Sequence, residues 1–207
     1  MASMNFKIVS SYQRVRLIIE NTKLQKEDLN SGEALPLWKQ NIELEAKDLS
    51  FHYNSEEKIS WPPMKISLGE HTAIIGNSGC GKSTLLEIIS RLRQPSFGSL
   101  TLSGEPINSF SLHEWRSFVG YVPQKPTFLS GTLGENLKGF KDNISDQEVM
   151  SALNSVDAIG IIEELPMALA SPVTNAGGNF SGGQLARLVT AQAIVSGQKL
   201  LLLDETL

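Results

Sequence analysis

The pattern G-x-x-x-x-G-K-[S/T] is matched at every fixed position by Gly76-Asn77-Ser78-Gly79-Cys80-Gly81-Lys82-Ser83. Glycines at these positions let the backbone turn tightly around an anion and expose N–H groups that side chains would otherwise cover. The helix predicted to follow adds the positive end of its dipole. We therefore expect a loop that binds nucleotide phosphates, with Lys82 reaching the β- and γ-phosphates and the Ser83 hydroxyl coordinating Mg²⁺.

The segments around this loop predict an α/β core. Residues 71–76 are a short apolar segment that we predict to be a buried strand, and residues 82–91 have the periodicity of a helix. The apolar residues of that helix fall on one face: Leu85, Leu86, Ile88 and Ile89. Residues 119–123 and Leu200–Leu203 are further apolar segments, typical of buried parallel strands.

The sequence upstream of the loop has a different pattern. Apolar residues alternate with polar ones from Ile42, with one slip: Ile42, Leu44, Ala46, then Leu49 and Phe51. This predicts an antiparallel strand, and Trp-Pro-Pro at residues 61–63 breaks the chain before the next strand. Residues 5–20 predict an amphipathic helix and residues 21–33 a polar linker. That helix either packs against the rest of the domain or is the final part of a longer helix.

The middle of the chain predicts a helical insert. Ser111 with Glu114, and Ser145 with Glu148, have the spacing of capping boxes. In a capping box the serine side chain and the acidic side chain each bond to the other residue's backbone N–H. Each pair therefore predicts the start of a helix.

A second glycine-rich motif opens another predicted helix. Residues 180–184 read Phe-Ser-Gly-Gly-Gln, and apolar residues follow at helical spacing. Ser181 is a natural N-cap, and the two glycines leave the backbone open to an anion. Together with the phosphate loop upstream, this motif resembles the LSGGQ signature of the ATP-binding cassette (ABC) family, with Phe180 in place of the leucine.

The resemblance covers about residues 42–207 and implies the P-loop NTPase fold of that family. Its members have a RecA-like parallel sheet core, an N-terminal antiparallel β subdomain and a helical subdomain that carries the signature, here about residues 125–195. Residues 1–40 would then be the helix and linker that join a membrane domain, and residues 41–207 the ATP-binding domain. The family's later strands and its switch histidine would follow residue 207. His52, His71 and His113 all lie upstream and cannot replace that histidine.

The resemblance also implies site residues. Residues 199–205 resemble the Walker B strand, so Asp204 is expected to hold the Mg²⁺ shell and Glu205 to act as the general base. Gln124 matches the Q-loop glutamine, and Tyr53 either matches the aromatic that stacks on adenine or is an ordinary strand-end tyrosine. The expected ATP contacts are Tyr53, Gly76, Asn77, Ser78, Gly79, Cys80, Gly81, Lys82, Ser83, Thr84 and Gln124. The expected Mg²⁺ ligands are Ser83, Gln124 and Asp204, and the expected catalytic groups are Lys82 and Glu205. Ser181, Gly182, Gly183 and Gln184 would face the ATP of a second such domain.

Several details resemble exporters. Residues 122–126 and 131–137 resemble the exporter Q-loop and the helix beyond it, and residues 177–184 resemble peptide and bacteriocin exporters. The resemblance implies an ATPase that drives export, with a transmembrane domain and an identical or different second nucleotide-binding domain as partners, at the cytoplasmic face of a bacterial inner membrane. Two alternatives remain: a soluble ABC ATPase, and a nucleotide-binding module that does not hydrolyse ATP. Asn175 and Thr206 depart from the family pattern, since exporters often have glutamate and a small residue or proline there.

The bulk composition fits this reading. The chain has 207 residues, a formal net charge of −4 and one cysteine, Cys80. This charge gives no overall basic field, so we expect no nucleic-acid partner. A single cysteine excludes an internal disulfide and fits a reducing compartment. The apolar runs are shorter than the roughly 18–20 residues that span a bilayer, so we expect this chain itself to be soluble.

Overall fold

The computed structural model describes Gly32, Glu33, Leu35 and residues 42–54 and 57–204. The predicted N-terminal helix, most of the predicted linker and Glu205 lie outside these residues.

The described part of the chain contains both strands and helices, and several of each follow one another directly. The strands are β1 (Glu43–His52), β2 (Lys58–Ser60), β3 (Met64–Ser67), β4 (Phe97–Leu102), β5 (Glu105–Pro106), β6 (Val119–Val122), β7 (Gly131–Thr132), β8 (Pro172–Val173) and β9 (Leu200–Leu203). The α-helices are α1 (Lys82–Ile89), α2 (Leu112–Phe118), α3 (Leu133–Leu137), α4 (Asp146–Ser155), α5 (Ile159–Glu163) and α6 (Gly182–Val195). The mixed α/β fold class predicted from the sequence is confirmed.

The N-terminal part is an antiparallel sheet built around β1. β1 pairs with β2 and β3 along one edge and with β4 along the other, and β4 pairs with β5. The register of β1 with β4 shifts between Lys47 and Ser50, where Asp48 has a φ of 51°. This bulge explains the slip in the alternation and keeps Leu44, Ala46 and Leu49 buried on both sides of it. The predicted antiparallel strand is confirmed.

The parallel part of the fold is the pair β6–β9. Val119 to Val122 lie in register with Leu200 to Leu203, so the carboxyl ends of both strands reach the same edge. The strand predicted at residues 71–76 is wrong, since these residues have irregular backbone and are exposed, Ile75 to 92%. A strand needs backbone partners on a neighbouring strand, and none of the described strands pairs with this segment. The apolar run is therefore not sufficient to make a strand here.

Two hydrophobic cores lie beneath these elements. The first joins the antiparallel sheet to α1 and α2; within it the fully buried Trp115 donates from Nε1 to the Ile89 carbonyl at 2.9 Å. The second is formed by α3 to α6 with β6, β8 and β9, and includes the fully buried Leu188 of α6. The helices that begin at the two glycine-rich motifs, α1 and α6, therefore pack in different cores.

Both helix starts predicted from capping boxes are confirmed. Ser145 and Glu148 make both reciprocal bonds, Oγ from the Glu148 N–H and the Glu148 carboxylate from the Ser145 N–H. Ser111 caps α2 by accepting from the Glu114 N–H, while the Glu114 carboxylate accepts a hydrogen bond from the Leu35 N–H at 3.1 Å. That carboxylate thus also ties the start of α2 to a residue far upstream.

Candidate functional site

The glycine-rich loop at residues 76–81 leads directly into α1. Gly81 is the N-cap residue with a φ of 94°, and no side chain in the described part of the protein caps the helix. A Cβ added at Gly81 would lie 2.7 Å from Ile59 Cγ2, so both the backbone conformation and the packing require glycine there. The N–H groups of the first turn therefore have no side-chain cap, as an anion site requires.

The other loop residues form an exposed turn. The Cys80 N–H donates to the Asn77 carbonyl at 3.3 Å, and Gly79 has a φ of 78°. Residues that lie exposed on this loop are Gly76, Asn77, Ser78, Gly79 and Cys80. Solvent therefore reaches the loop along most of its length.

Lys82, the first residue of α1, folds back over the loop. Its Nζ donates to the Gly76 carbonyl at 3.0 Å and to the Asn77 carbonyl at 3.2 Å. The ammonium group thus lies on the loop backbone rather than away from it. A cation and uncapped helix N–H groups together make this the most favourable described position for a phosphate group.

Ser83 and Asp204 meet although they come from opposite ends of the core. The Ser83 hydroxyl donates to Asp204 Oδ1 at 3.0 Å. Tyr121 donates to the other carboxylate oxygen, Oδ2, at 3.4 Å, and Asp204 is only 4% exposed. Burial and then the Asp204 charge raise the pKa of Tyr121 to about 12, so the phenol remains a donor at neutral pH.

Gln124 lies at the same edge of the sheet. β6 and β9 end together, with Val122 beside Leu203, and the Asp204 N–H donates to the Val122 carbonyl at 3.0 Å. Gln124 follows two residues after β6 and is exposed. The structure therefore brings Ser83 and Asp204 into contact and places Gln124 just beyond the end of β6, the strand that pairs with β9.

Tyr53 is attached to α1 from the end of β1. Its hydroxyl and that of the buried Thr84 share a short hydrogen bond, and its ring packs edge-on against Phe51 with centroids 5.0 Å apart. Tyr53 nevertheless remains 48% exposed. An aromatic surface thus faces solvent on the antiparallel sheet, joined by one hydrogen bond to the helix that follows the phosphate loop.

The second glycine-rich motif forms the start of α6. Ser181 caps the helix and makes a complete capping box with Gln184, whose side chain accepts from the Ser181 N–H at 2.9 Å. A Cβ added at Gly182 or Gly183 would meet no described atom within 4 Å. Packing within the described part of the fold thus gives no reason for glycine at either position.

Comparison with known proteins assigns this architecture. The sequence profile of the ABC transporter family matches residues 62–207. The chain belongs to the ABC transporter family. The membership predicted from the two glycine-rich motifs is confirmed.

The relatives of this ABC chain are transporters. It is 36% identical over 87% of its length to a "multidrug resistance ABC transporter ATP-binding and permease protein" of Lactococcus lactis subsp. cremoris (strain MG1363), covering 31% of that protein. It is 32% identical over 95% of its length to an ATP-dependent lipid A-core flippase of Desulfotalea psychrophila (strain LSv54 / DSM 12343), covering 34% of it. A bacterial Atm1-family ABC exporter solved with ATP bound superposes with a TM-score of 0.77 at 26% identity, over 86% of this chain and 31% of the exporter. The predicted likeness to exporters is confirmed, and this chain spans about a third of the length of these relatives.

None of the helices in the described ranges of this ABC chain combines the length and apolar character that crossing a bilayer requires.

Three side chains at this site make contacts that were not predicted from the sequence. Tyr121 bonds to Asp204, Thr84 bonds to Tyr53, and the Arg93 guanidinium lies over the Tyr53 ring at 5.6 Å from its centroid. Tyr121 stands three residues before Gln124 and Thr84 directly follows the loop, so both could have been examined by position. Arg93 belongs to no recognisable motif. It lies between α1 and β4, and its contact with Tyr53 depends on how β4 pairs with β1.

Proposed function

We propose that this chain is the ATP-binding and ATP-hydrolysing motor domain of an ABC exporter. The observation that carries the proposal is the 3.0 Å hydrogen bond between Ser83 and Asp204. It joins the first turn of α1, directly after the phosphate loop, to Asp204 at the end of β9. One small site therefore contains a hydroxyl and a carboxylate that can bind the metal ion of a nucleotide.

The loop and α1 supply the phosphate site. The uncapped first turn of α1 offers backbone N–H groups, and the Lys82 ammonium lies on the loop carbonyls of Gly76 and Asn77. Both features stabilise negative charge, and their effect is greatest on the charge that builds up during phosphoryl transfer. Lys82 is thus the residue that reaches the β- and γ-phosphates.

The residues at the end of β9 fit Mg²⁺. Ser83 and Asp204 supply hydroxyl and carboxylate oxygens, the ligand type that Mg²⁺ takes, and the exposed Gln124 amide is a third oxygen donor at the same edge. When bound, Mg²⁺ would neutralise phosphate charge in the site. Tyr121 holds the second carboxylate oxygen and so leaves the first directed at Ser83.

The signature motif acts on a second domain. The glycines at 182 and 183 have open space around them, and α1 and α6 pack in different cores. Close approach of another molecule is a reason for glycine that the described residues of this chain do not provide. Ser181, Gly182, Gly183 and Gln184 therefore face the ATP held by a second nucleotide-binding domain, and closure of that pair forms the complete site.

Hydrolysis and transport complete the proposal. Glu205, which follows Asp204 and lies outside the described residues, is the general base that orients the attacking water. Gln124 relays closure to a transmembrane domain, and the motor works at the cytoplasmic face of the membrane. The exporter assignment draws on the relatives, whose names describe multidrug, lipid A-core and lactococcin-A transport.

The first test is a titration with a fluorescent ATP analogue in the presence of Mg²⁺. Wild type should bind saturably, and Lys82→Ala should lose binding, with circular dichroism to verify that both are folded. Lys65→Ala is the matched control, because Lys65 pairs with Glu45 at 2.6 Å on the antiparallel sheet. Equal binding by wild type and Lys82→Ala would contradict the proposal. In a full-length transporter that contains this chain, Glu205→Gln should bind ATP without turnover, and wild-type turnover would exclude Glu205 as the base.

A further inference from the structure

A cation lies across both aromatic rings at the end of β1. The Arg93 guanidinium carbon is 5.5 Å from the Phe51 ring centroid and 5.6 Å from that of Tyr53. Phe51 lies in β1 and Tyr53 follows the strand, and their rings lie on the same side because they pack edge-on with centroids 5.0 Å apart. Both guanidinium distances are within the range of a cation–π contact.

Arg93 is itself attached to α1. Its Nε pairs closely with the Glu87 carboxylate, and its backbone N–H donates to the Glu87 carbonyl at 3.2 Å. Glu87 stands three residues after Thr84, whose hydroxyl bonds to the Tyr53 hydroxyl. Residues i and i+3 lie on the same face of a helix. One face of α1 therefore contacts Tyr53 in two ways. Thr84 hydrogen-bonds to the tyrosine hydroxyl, and Glu87 binds Arg93, which lies over the tyrosine ring.

These two attachments leave the tyrosine available for a ligand. Tyr53 remains 48% exposed although its hydroxyl, one edge and part of its ring are in contact. A ring that is already oriented loses less conformational freedom when a ligand stacks on it. The same helix α1 begins at the phosphate loop, so the orientation of the ring is fixed relative to the phosphate site.

We propose that Arg93 is a positioning residue that holds Tyr53 in the orientation in which it stacks on the base of a bound nucleotide. The inference rests on the proposed nucleotide binding and deepens it. The base-binding surface is not Tyr53 alone but a tyrosine fixed by a cation that α1 supplies through Glu87. The described contacts of the Arg93 side chain are with Glu87, Phe51 and Tyr53 and not with the phosphate loop, so its effect should depend on the base.

The test compares two ligands that share phosphates and differ in the base. Binding of MgATP and of magnesium tripolyphosphate is measured calorimetrically for wild type, Arg93→Met, Arg93→Lys and Lys65→Met. Arg93→Met should weaken MgATP binding about two- to five-fold, the size expected for loss of an exposed cation–π contact. Its binding of tripolyphosphate should not change. Arg93→Lys should restore most of the MgATP affinity, and Lys65→Met, which removes an exposed ion pair elsewhere on the sheet, should change neither ligand.

The other outcomes overturn the inference. Unchanged MgATP binding by Arg93→Met means that Arg93 does not support stacking. Tighter MgATP binding means that Arg93 covers the face of the Tyr53 ring on which the base would stack. Equal loss of both ligands means that Arg93 only maintains the fold. Equal affinity of wild type for both ligands means that Tyr53 does not bind a base. If wild type binds neither ligand, the proposed nucleotide binding fails together with the inference. In every other outcome wild type still binds a ligand, so only the inference about Arg93 fails.

Discussion

Ser83 and Asp204 are 121 positions apart in the sequence, yet the serine hydroxyl donates to the aspartate carboxylate at 3.0 Å. Asp204 directly follows β9 and Ser83 is the second residue of α1, so this bond places the end of β9 beside the first turn of α1. Two short motifs, each recognisable alone, thus become one group of oxygen atoms beside a phosphate loop.

Asp204→Asn should reduce the Mg²⁺ dependence of nucleotide binding. An amide supplies one neutral oxygen where the carboxylate supplies a charged one, so the tightening of nucleotide binding by Mg²⁺ should shrink at least about ten-fold. Titration with fluorescent ATP in Mg²⁺ and in EDTA measures this difference. Asp142→Asn, at an exposed carboxylate, should keep the wild-type ratio. An unchanged ratio in Asp204→Asn would place the metal elsewhere.

Tyr53→Ala and Tyr53→Phe should separate the ring from the hydroxyl. Loss of the ring should weaken MgATP binding about five- to 150-fold, as expected for stacking worth about 1–3 kcal/mol. Tyr53→Phe keeps the ring but leaves the buried Thr84 hydroxyl without this partner, so it should lower the free energy of unfolding by about 1–3 kcal/mol while retaining most of the affinity. Titration and urea unfolding measure the two effects. A weaker affinity in the phenylalanine variant than in the alanine variant would exclude stacking on the ring.

Gly183→Ala and Gly81→Ala should have opposite effects on folding. A Cβ at Gly183 meets no described atom within 4 Å, so alanine should leave the free energy of unfolding unchanged or raise it by up to about 1 kcal/mol. Gly81 has a φ of 94° and a Cβ there would lie 2.7 Å from Ile59, so alanine should cost about 1–3 kcal/mol or more. Urea unfolding compares them. If Gly183→Ala destabilises the chain as much as Gly81→Ala does, the signature glycine serves the fold and not a partner.

Glu148→Gln should make the stability of the chain depend less on pH. The Ser145 backbone N–H, and then its hydroxyl, lower the pKa of Glu148 below its ordinary value. The unfolded state therefore binds the proton more readily, and this stabilisation is present above the unfolded pKa and lost as pH falls through the folded one. The variant should be less stable than wild type at about pH 7 and equal to it at about pH 2.5, as measured by thermal unfolding. The pKa of Glu135 is lowered in the same way by Thr132. Glu135 is present in both proteins, so its contribution to the pH dependence of stability cancels in the comparison. A stability difference that is the same at both pH values would contradict this explanation.

The features predicted correctly from the sequence are those set by a few neighbouring residues. Ser145 and Glu148 form the predicted capping box, and Ser181 caps α6 as predicted, because three-residue spacing places the serine side chain at a backbone N–H of the first turn. The bulge in β1 was visible as a slip between Ala46 and Leu49, since the side-chain period of a strand is two. Both glycine-rich motifs identified the family for the same local reason.

Contacts between distant segments came only from the tertiary structure. The apolar residues 71–76 predicted a strand, but strand formation depends on a neighbour that local sequence does not specify. The bond from Tyr121 to Asp204 and the contact of Arg93 with Tyr53 arise where separate elements are packed side by side. Hydrogen-bond spacing and backbone conformation act over a few residues and can be read directly from the amino-acid sequence. Which distant side chains meet is decided by how strands pair and helices pack, and that depends on the whole chain at once.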